Sequence, residues 1–168
     1  AESDMVVGNL ETPLAGKEAG YTDSHICFNA PDEYADAVKK AGFHMVSTAN
    51  NHTFDRGSSG ARRTAEFLSG QGFRLAGLSV TPPLILDLDG LRVGIVNASY
   101  GVNSEPPRGE GVVEANFISK AFLESAIRGL RMKGADCVVA CLHWGDEYKP
   151  QPNEKQKTQA AWAFEAGA

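Results

Sequence analysis

Four polar clusters stand where apolar runs of the chain end. Asn9 and Glu11 follow "DMVVGN" (4–9), and Asn50, Asn51, His52 and Asp55 follow "FHMVSTA" (43–49). Asn97, Ser99 and Tyr100 close the run that ends at 99, and His143, Asp146 and Glu147 close "ADCVVACLHWG" (135–145). Imidazole, carboxylate and carboxamide oxygen are ligands for Zn²⁺, Mn²⁺ or Fe²⁺ in a site without thiolate. Two such ions about 3.5–4 Å apart can hold both the attacking and the leaving oxygen of a phosphoryl transfer. That chemistry wants a bridging carboxylate, an Asn or His on the flanks, and a further His to protonate the leaving group. Glu11, Asn51, His143 and His52 suit those roles.

Taken singly, each residue has a plainer reading. Asn after a strand commonly bonds its own backbone in a turn, which would account for Asn9. Asp55 could fix the bend before Gly57 in the same way. His25 and His44 lie away from the strand tips and read as ordinary, and Trp144 reads as a packing wall. It is the recurrence at four tips that points to a site, because the carboxyl ends of strands in open α/β folds converge on one crevice.

The elements that must carry these tips alternate. Strands are expected at 4–9, 43–49, 73–77 and 135–145, and helices at 30–42, 58–72, 119–134 and 153–167. Pro31 near the start and Gly42 past the end frame the first helix. Ser58 or Ser59 is expected to cap the second, with Ala61, Ala65 and Leu68 on its buried face. Asn153 and Gln156 have capping-box spacing for the last. Asp89-Gly90 between two apolar runs marks a hairpin over 83–99. Residues 101–116 form a long loop of the kind that is often functional. The pattern predicts an α/β layered fold. "AGFHMVSTANNH" and "GADCVVACLHWG" share one design: a helix-ending Gly, a short apolar strand and a His at its tip. A third such unit would begin at the final "EAGA", so truncation is expected.

Composition removes several alternatives. Across 168 residues the net charge is −5 with scattered Lys and Arg, which gives no basic stripe for nucleic acid. No apolar run approaches the ~20 residues of a membrane helix. Cys27, Cys137 and Cys141 lack zinc-type spacing, and the latter two are expected to be core residues. No GxSxG elbow or Lys-bearing phosphate loop is present.

The stretches "DMVVGNLETPL", "FNAPDEYADAVKKAGFHMVSTANNHTFDRGSSGARRT" and "CLHWGDEYKPQPNEKQ" closely resemble bacterial CapA-type proteins of poly-γ-glutamate capsule synthesis, within the calcineurin-like metallophosphoesterase superfamily. The order GNLE, ANNH-x-x-D-x-G and HWG-x-E-Y carries the resemblance across nearly the whole chain. It implies a layered metallophosphoesterase fold, a central β-sandwich flanked by helices, over a single incomplete domain at 1–168. The first metal-binding strand would precede Ala1 and a closing His-x-His-type motif would follow Ala168. It implies two divalent ions (Mn, Fe or Zn), with Asn9, Glu11, Asn51 and His143 as ligands and His52 as catalytic acid. The superfamily usually has Gly-Asp where this chain has Gly8-Asn9, so the bridging role stays open between Asn9 and Glu11. Asn50, Asp55 and Glu147 would support the site.

The function implied is metal-dependent hydrolysis of a phosphoester or of the polymer, which this portion alone would not complete. The alternative is a non-catalytic accessory protein that guides an anionic polymer at the cell surface. Partners would then be that polymer or a phosphoester and membrane capsule-synthesis proteins. The location would be extracytoplasmic, or membrane-anchored through segments outside this chain.

Overall fold

The computed structural model describes residues 3–21, 26–105, 108–109 and 111–168. In chain order the elements are β1 (Val7–Asn9), α1 (Glu33–Lys40), β2 (Met45–Ser47), α2 (Gly57–Gly70), β3 (Arg74–Ala76), β4 (Leu84–Leu88), β5 (Leu91–Ser99), α3 (Lys120–Met132), β6 (Cys137–His143) and α4 (Glu154–Ala166). A short 3-10 turn, Lys17–Ala19, lies between β1 and α1.

The strands form two three-stranded sheets rather than one. In the first, β1, β2 and β3 are all parallel, with Val46 opposite Gly8 on one side and Leu75 on the other. In the second, β4 and β5 are the expected antiparallel hairpin, and β5 runs parallel to β6 with Ser99 opposite His143. Asp89 and Gly90 both have positive φ at the hairpin turn, the conformation that a two-residue connection requires.

Side-chain alternation decides how the sheets stack. Val46 packs with Leu68, Ala61 and Ala65 of α2 and Ala35 of α1 in one cluster. Its neighbour Met45 faces the other way and meets Leu86, Val93 and Ile95 of the second sheet. Val96 and Val138 face outward again onto Leu123, Ile127 and Leu130 of α3 and Ala163 of α4. The layers are therefore helices, sheet, sheet, helices: a β-sandwich flanked on both sides. One margin of the sandwich brings β3 and β4 into contact. Its other margin is formed by β1 and β6, where Val7 and Val139 are 37% and 47% exposed.

The helix signals hold in part. Asn153 and Gln156 make the full capping box of α4, and the Ser119 side chain accepts from Phe122 N at the start of α3. The buried face of α2 is Ala61, Ala65 and Leu68 as expected. Neither Ser58 nor Ser59 caps it, however: both lie inside the helix, and the N-cap position falls at Arg56. The bend before it is already wound by turn bonds from Thr53, Asp55 and Gly57 to the carbonyls of Asn50, His52 and Phe54. The helix therefore starts early, and Ser58 Oγ instead accepts from Val113 N of the long loop at 2.7 Å. Cys137 and Cys141 pack between the sheets but are only half-buried, because β6 is a margin strand among the described residues.

Candidate functional site

The carboxyl ends of β1, β2, β5 and β6 meet at one end of the sandwich. Asn97 of β5 joins the two sheets there. Its Oδ1 accepts from Thr48 N at 3.1 Å and Ala49 N at 2.8 Å, both just past β2. Its Nδ2 donates to Ala49 O at 3.3 Å and to Cys141 O of β6 at 3.0 Å. Gly77 passes so close that a Cβ there would collide with Asn97 Oδ1 and the Ala49 backbone, and its φ of +126° suits glycine. Asn97 thus fixes the sheets relative to each other and carries no free donor atom toward the crevice. Ser99, also buried, bonds Gly101 of the following loop.

The bend after β2 is dense and buried. Asn50 is 1% exposed; its Nδ2 donates to Leu10 O at 2.8 Å and Asn9 Oδ1 at 3.2 Å, tying β1 to the bend. Its Oδ1 accepts from His52 N at 3.1 Å. His52 Nδ1 donates to Asp55 Oδ2 at 2.7 Å, and the same oxygen accepts from Phe28 N at 2.6 Å. A carboxylate can only accept, so His52 carries a proton on Nδ1 and is left with Nε2 for other partners. Phe28 stacks on the imidazole with ring centroids 4.0 Å apart. Asp55 therefore does more than shape the turn: it orients a histidine.

Three elements bring donors together beside this bend. His143 Nε2, at the tip of β6, donates to Asn51 Oδ1 at 2.8 Å and lies 3.6 Å from Glu11 Oε1. Burial lowers the His143 pKa, Glu11 opposes that and His52 reinforces it, so the ring is neutral near pH 7. Neutral imidazole is the form that ligates metal, and for Nε2 to ligate, its proton, which here bonds Asn51, would shift to Nδ1. Asn9 Nδ2 donates to Glu11 Oε2 at 3.0 Å, while Asn9 Oδ1 faces Asn50 and Ser47. To ligate, Asn9 would have to release those bonds, whereas Glu11 needs no such change.

Two donors each about 2.1 Å from one ion, at angles of 90–110°, stand about 3.0–3.4 Å apart. The spacings of 2.8 and 3.6 Å about His143 Nε2 bracket that range. Among the described residues no group of three or more His, Cys, Asp or Glu could hold a metal, so the set leans on carboxamide oxygen. Glu11, Asn51 and His143 fit one side of a divalent ion. Glu147 is exposed on the loop after β6, and Asp146 bonds Asn153 of α4 instead of turning inward. His44 is structural, its Nδ1 accepting from Val6 N at 3.1 Å, and His25 lies outside the described residues. Phe28 and Asn103 were missed by the sequence reading. The length of the loop holding Asn103 was the one signal that could have raised it.

Donor-bearing strand tips on two packed sheets, with helices on both outer faces, make this a metallophosphoesterase-like α/β fold. A Staphylococcus aureus structure, described as a candidate 5′-nucleotidase in complex with alpha-ketoglutarate, matches with a TM-score of 0.52 at 15% identity over 77% of this chain and 28% of that one. The calcineurin-like phosphoesterase YfkN of Bacillus subtilis gives a TM-score of 0.45 at 20% identity, over 70% of this chain and 40% of that one. The family model "Bacterial capsule synthesis protein PGA_cap" matches residues 1–168, and the chain belongs to that family. "Capsule biosynthesis protein CapA" of Bacillus anthracis is 28% identical over 99% of this chain and 43% of its own length. "PGA biosynthesis protein CapA" of Bacillus subtilis (strain 168) is also 28% identical, over 99% of this chain and 45% of its own length. The chain thus spans under half the length of these curated relatives.

Proposed function

We propose that this chain forms part of the divalent-metal site of a hydrolase in capsule polymer synthesis, acting on a phosphoester or on an anionic polymer such as poly-γ-glutamate. The observation that carries the reading is that Asn51 Oδ1 and Glu11 Oε1, from the segments after β2 and β1, stand 2.8 and 3.6 Å from His143 Nε2 at the end of β6. Glu11, Asn51 and His143 would hold the ions, with Asn9 beside Glu11 as a further ligand once its oxygen turns inward. Bound Mn²⁺, Fe²⁺ or Zn²⁺ would supply Lewis acidity and a water acidic enough to attack at neutral pH. The protein's own part is orientation and proton delivery. Asn9 and Asn50 steer Glu11 and the bend, and Asp55 holds His52 with Nε2 outward. From there His52 would hand a proton to the leaving oxygen, its charge stabilised by the buried Asp55 carboxylate. The parent protein would work outside the cytoplasm beside membrane capsule-synthesis proteins.

The test is elemental analysis of the full-length protein purified without added metal, beside its His143→Ala variant. The expected result is about two transition-metal ions per chain, reduced in the variant. No bound metal after incubation with excess Mn²⁺ or Zn²⁺ would sink the reading. One feature favours a second reading, a non-catalytic guide for an anionic polymer: Asn9 is a neutral ligand at a position where a carboxylate would bind metal more strongly. A folded, metal-loaded His52→Ala protein that still supports capsule formation would assign that role instead.

A further inference from the structure

The segment after β5 touches both histidines of the crevice, and it belongs to neither the bend nor the β6 tip. Ser99 Oγ, fully buried, bonds Gly101 O at 2.7 Å and sets the chain's turn away from the strand. Tyr100 N donates to His143 O at 2.8 Å, and the Tyr100 ring lies over the His143 imidazole with centroids 6.1 Å apart. Asn103 N then donates to Asn51 O at 2.7 Å. That backbone bond presses the segment against the residue that pairs with His143. It also brings Asn103 Nδ2 to 3.4 Å from His52 Nε2.

The position of that carboxamide follows from what the other sides of His52 are doing. Nδ1 is committed to Asp55 and one ring face is covered by Phe28. Nε2 is left as the atom that can exchange a proton with a ligand, and Asn103 is the side chain that meets it. It is the Asn103 NH₂ that stands against this atom in the structure. That group has two hydrogens, and only one can point at Nε2. Asn103 itself is exposed, which leaves the second hydrogen open to a ligand. An anionic ligand needs such donors, because no Lys or Arg side chain among the described residues bonds Glu11, Asn51, His52 or His143.

We propose that Asn103 is a substrate-contacting residue, its NH₂ donating to the same oxyanion oxygen, phosphoryl or carboxyl, that a protonated His52 Nε2 would serve. This deepens the metal-site reading above and rests on it.

Inorganic phosphate is the probe, and its affinity is measured by calorimetry on the full-length Mn²⁺-loaded protein, with metal content determined for every sample. Asn103→Ala should weaken phosphate binding about tenfold at unchanged metal content, the loss of one hydrogen bond to a charged group. Asn103→Asp keeps the shape but replaces the donor by a negative charge, and should weaken it further. Asn103→Gln, which restores an NH₂ on a longer arm, should recover part of the loss. Phosphate affinity equal to wild type in Asn103→Ala, with metal retained, would overturn the proposal while leaving the metal site standing. Loss of metal together with phosphate in that variant would also overturn it, giving Asn103 a structural role through Asn51. A wild-type protein that takes up no metal would remove this proposal and the hydrolase reading together.

Discussion

The bend after β2 and the tip of β6 contribute one candidate catalytic or ligating histidine each, yet they are built in opposite ways. At the bend, Asn50, Asn51, His52 and Asp55 are all buried, and His52 is bonded through its backbone, its Nδ1 and its ring face. At the β6 tip, the His143 side chain is 23% exposed, and Asp146, Glu147 and Tyr148 beyond it are exposed. Buried polar groups are costly unless every one is paired, so a network such as the bend is rigid when complete and fragile when cut. The open tip costs less to maintain and can adapt to whatever binds. One half of the site is set before a ligand arrives, and the other half is left to respond.

The contrast can be broken most directly at the residue that both halves share. Asn97→Ala would remove the side-chain partner of Ala49 N and of Cys141 O, while Thr48 N would keep Ala76 O. About 3 kcal/mol or more of destabilisation is expected, seen as a lower urea midpoint. Asp55→Ala cuts the bend alone, leaving His52 Nδ1 and Phe28 N without an acceptor. It should cost about 2–3 kcal/mol and loosen the His52 ring, with new exchange broadening of its NMR signals as the check.

His143→Gln is expected to be mildest, below about 1 kcal/mol at pH 7, because the tip is partly open. It sharpens the contrast through pH. Burial holds the His143 pKa below its ordinary value, so between that value and the folded one the unfolded chain binds more protons. Stability is full above about pH 6.5 and falls as the solution is acidified below it. Urea midpoints across pH 7 to 5 should fall more steeply for wild type than for His143→Gln. Equal slopes would show that the tip histidine is not held neutral by the fold.

Much of this was legible because local chemistry and tertiary role agreed. The capping pair Asn153 and Gln156, the hairpin at Asp89-Gly90 and the apolar face of α2 each act over a few residues, and each is present as read. His52 and His143 stood out in the sequence because each follows a short apolar run; His52 lies five residues past β2 and His143 is the last residue of β6. The failures share a cause as well. Ser58 looked like a cap, but the preceding bend was already hydrogen-bonded, and its hydroxyl went to a residue 55 positions away. Asn97 was grouped with the polar strand tips, and its four bonds run to the backbone of two other strand ends, which no local pattern could show. Asn103 and Phe28 gave no local sign, because what matters about them is which distant ring they touch.

Two apolar sheet faces in contact have little directional preference, and a sandwich held by them alone could shear by a fraction of an ångström with small penalty. Asn97 acts as a detent in that motion. Because its bonds are directional and saturated on both sheets, sliding in either direction breaks them at once. Glu11 and Asn51 ride on one sheet and His143 on the other. The gap between them, on which any bound ion would depend, is therefore set by directional bonds, those of Asn97 among them, rather than by the softness of the core.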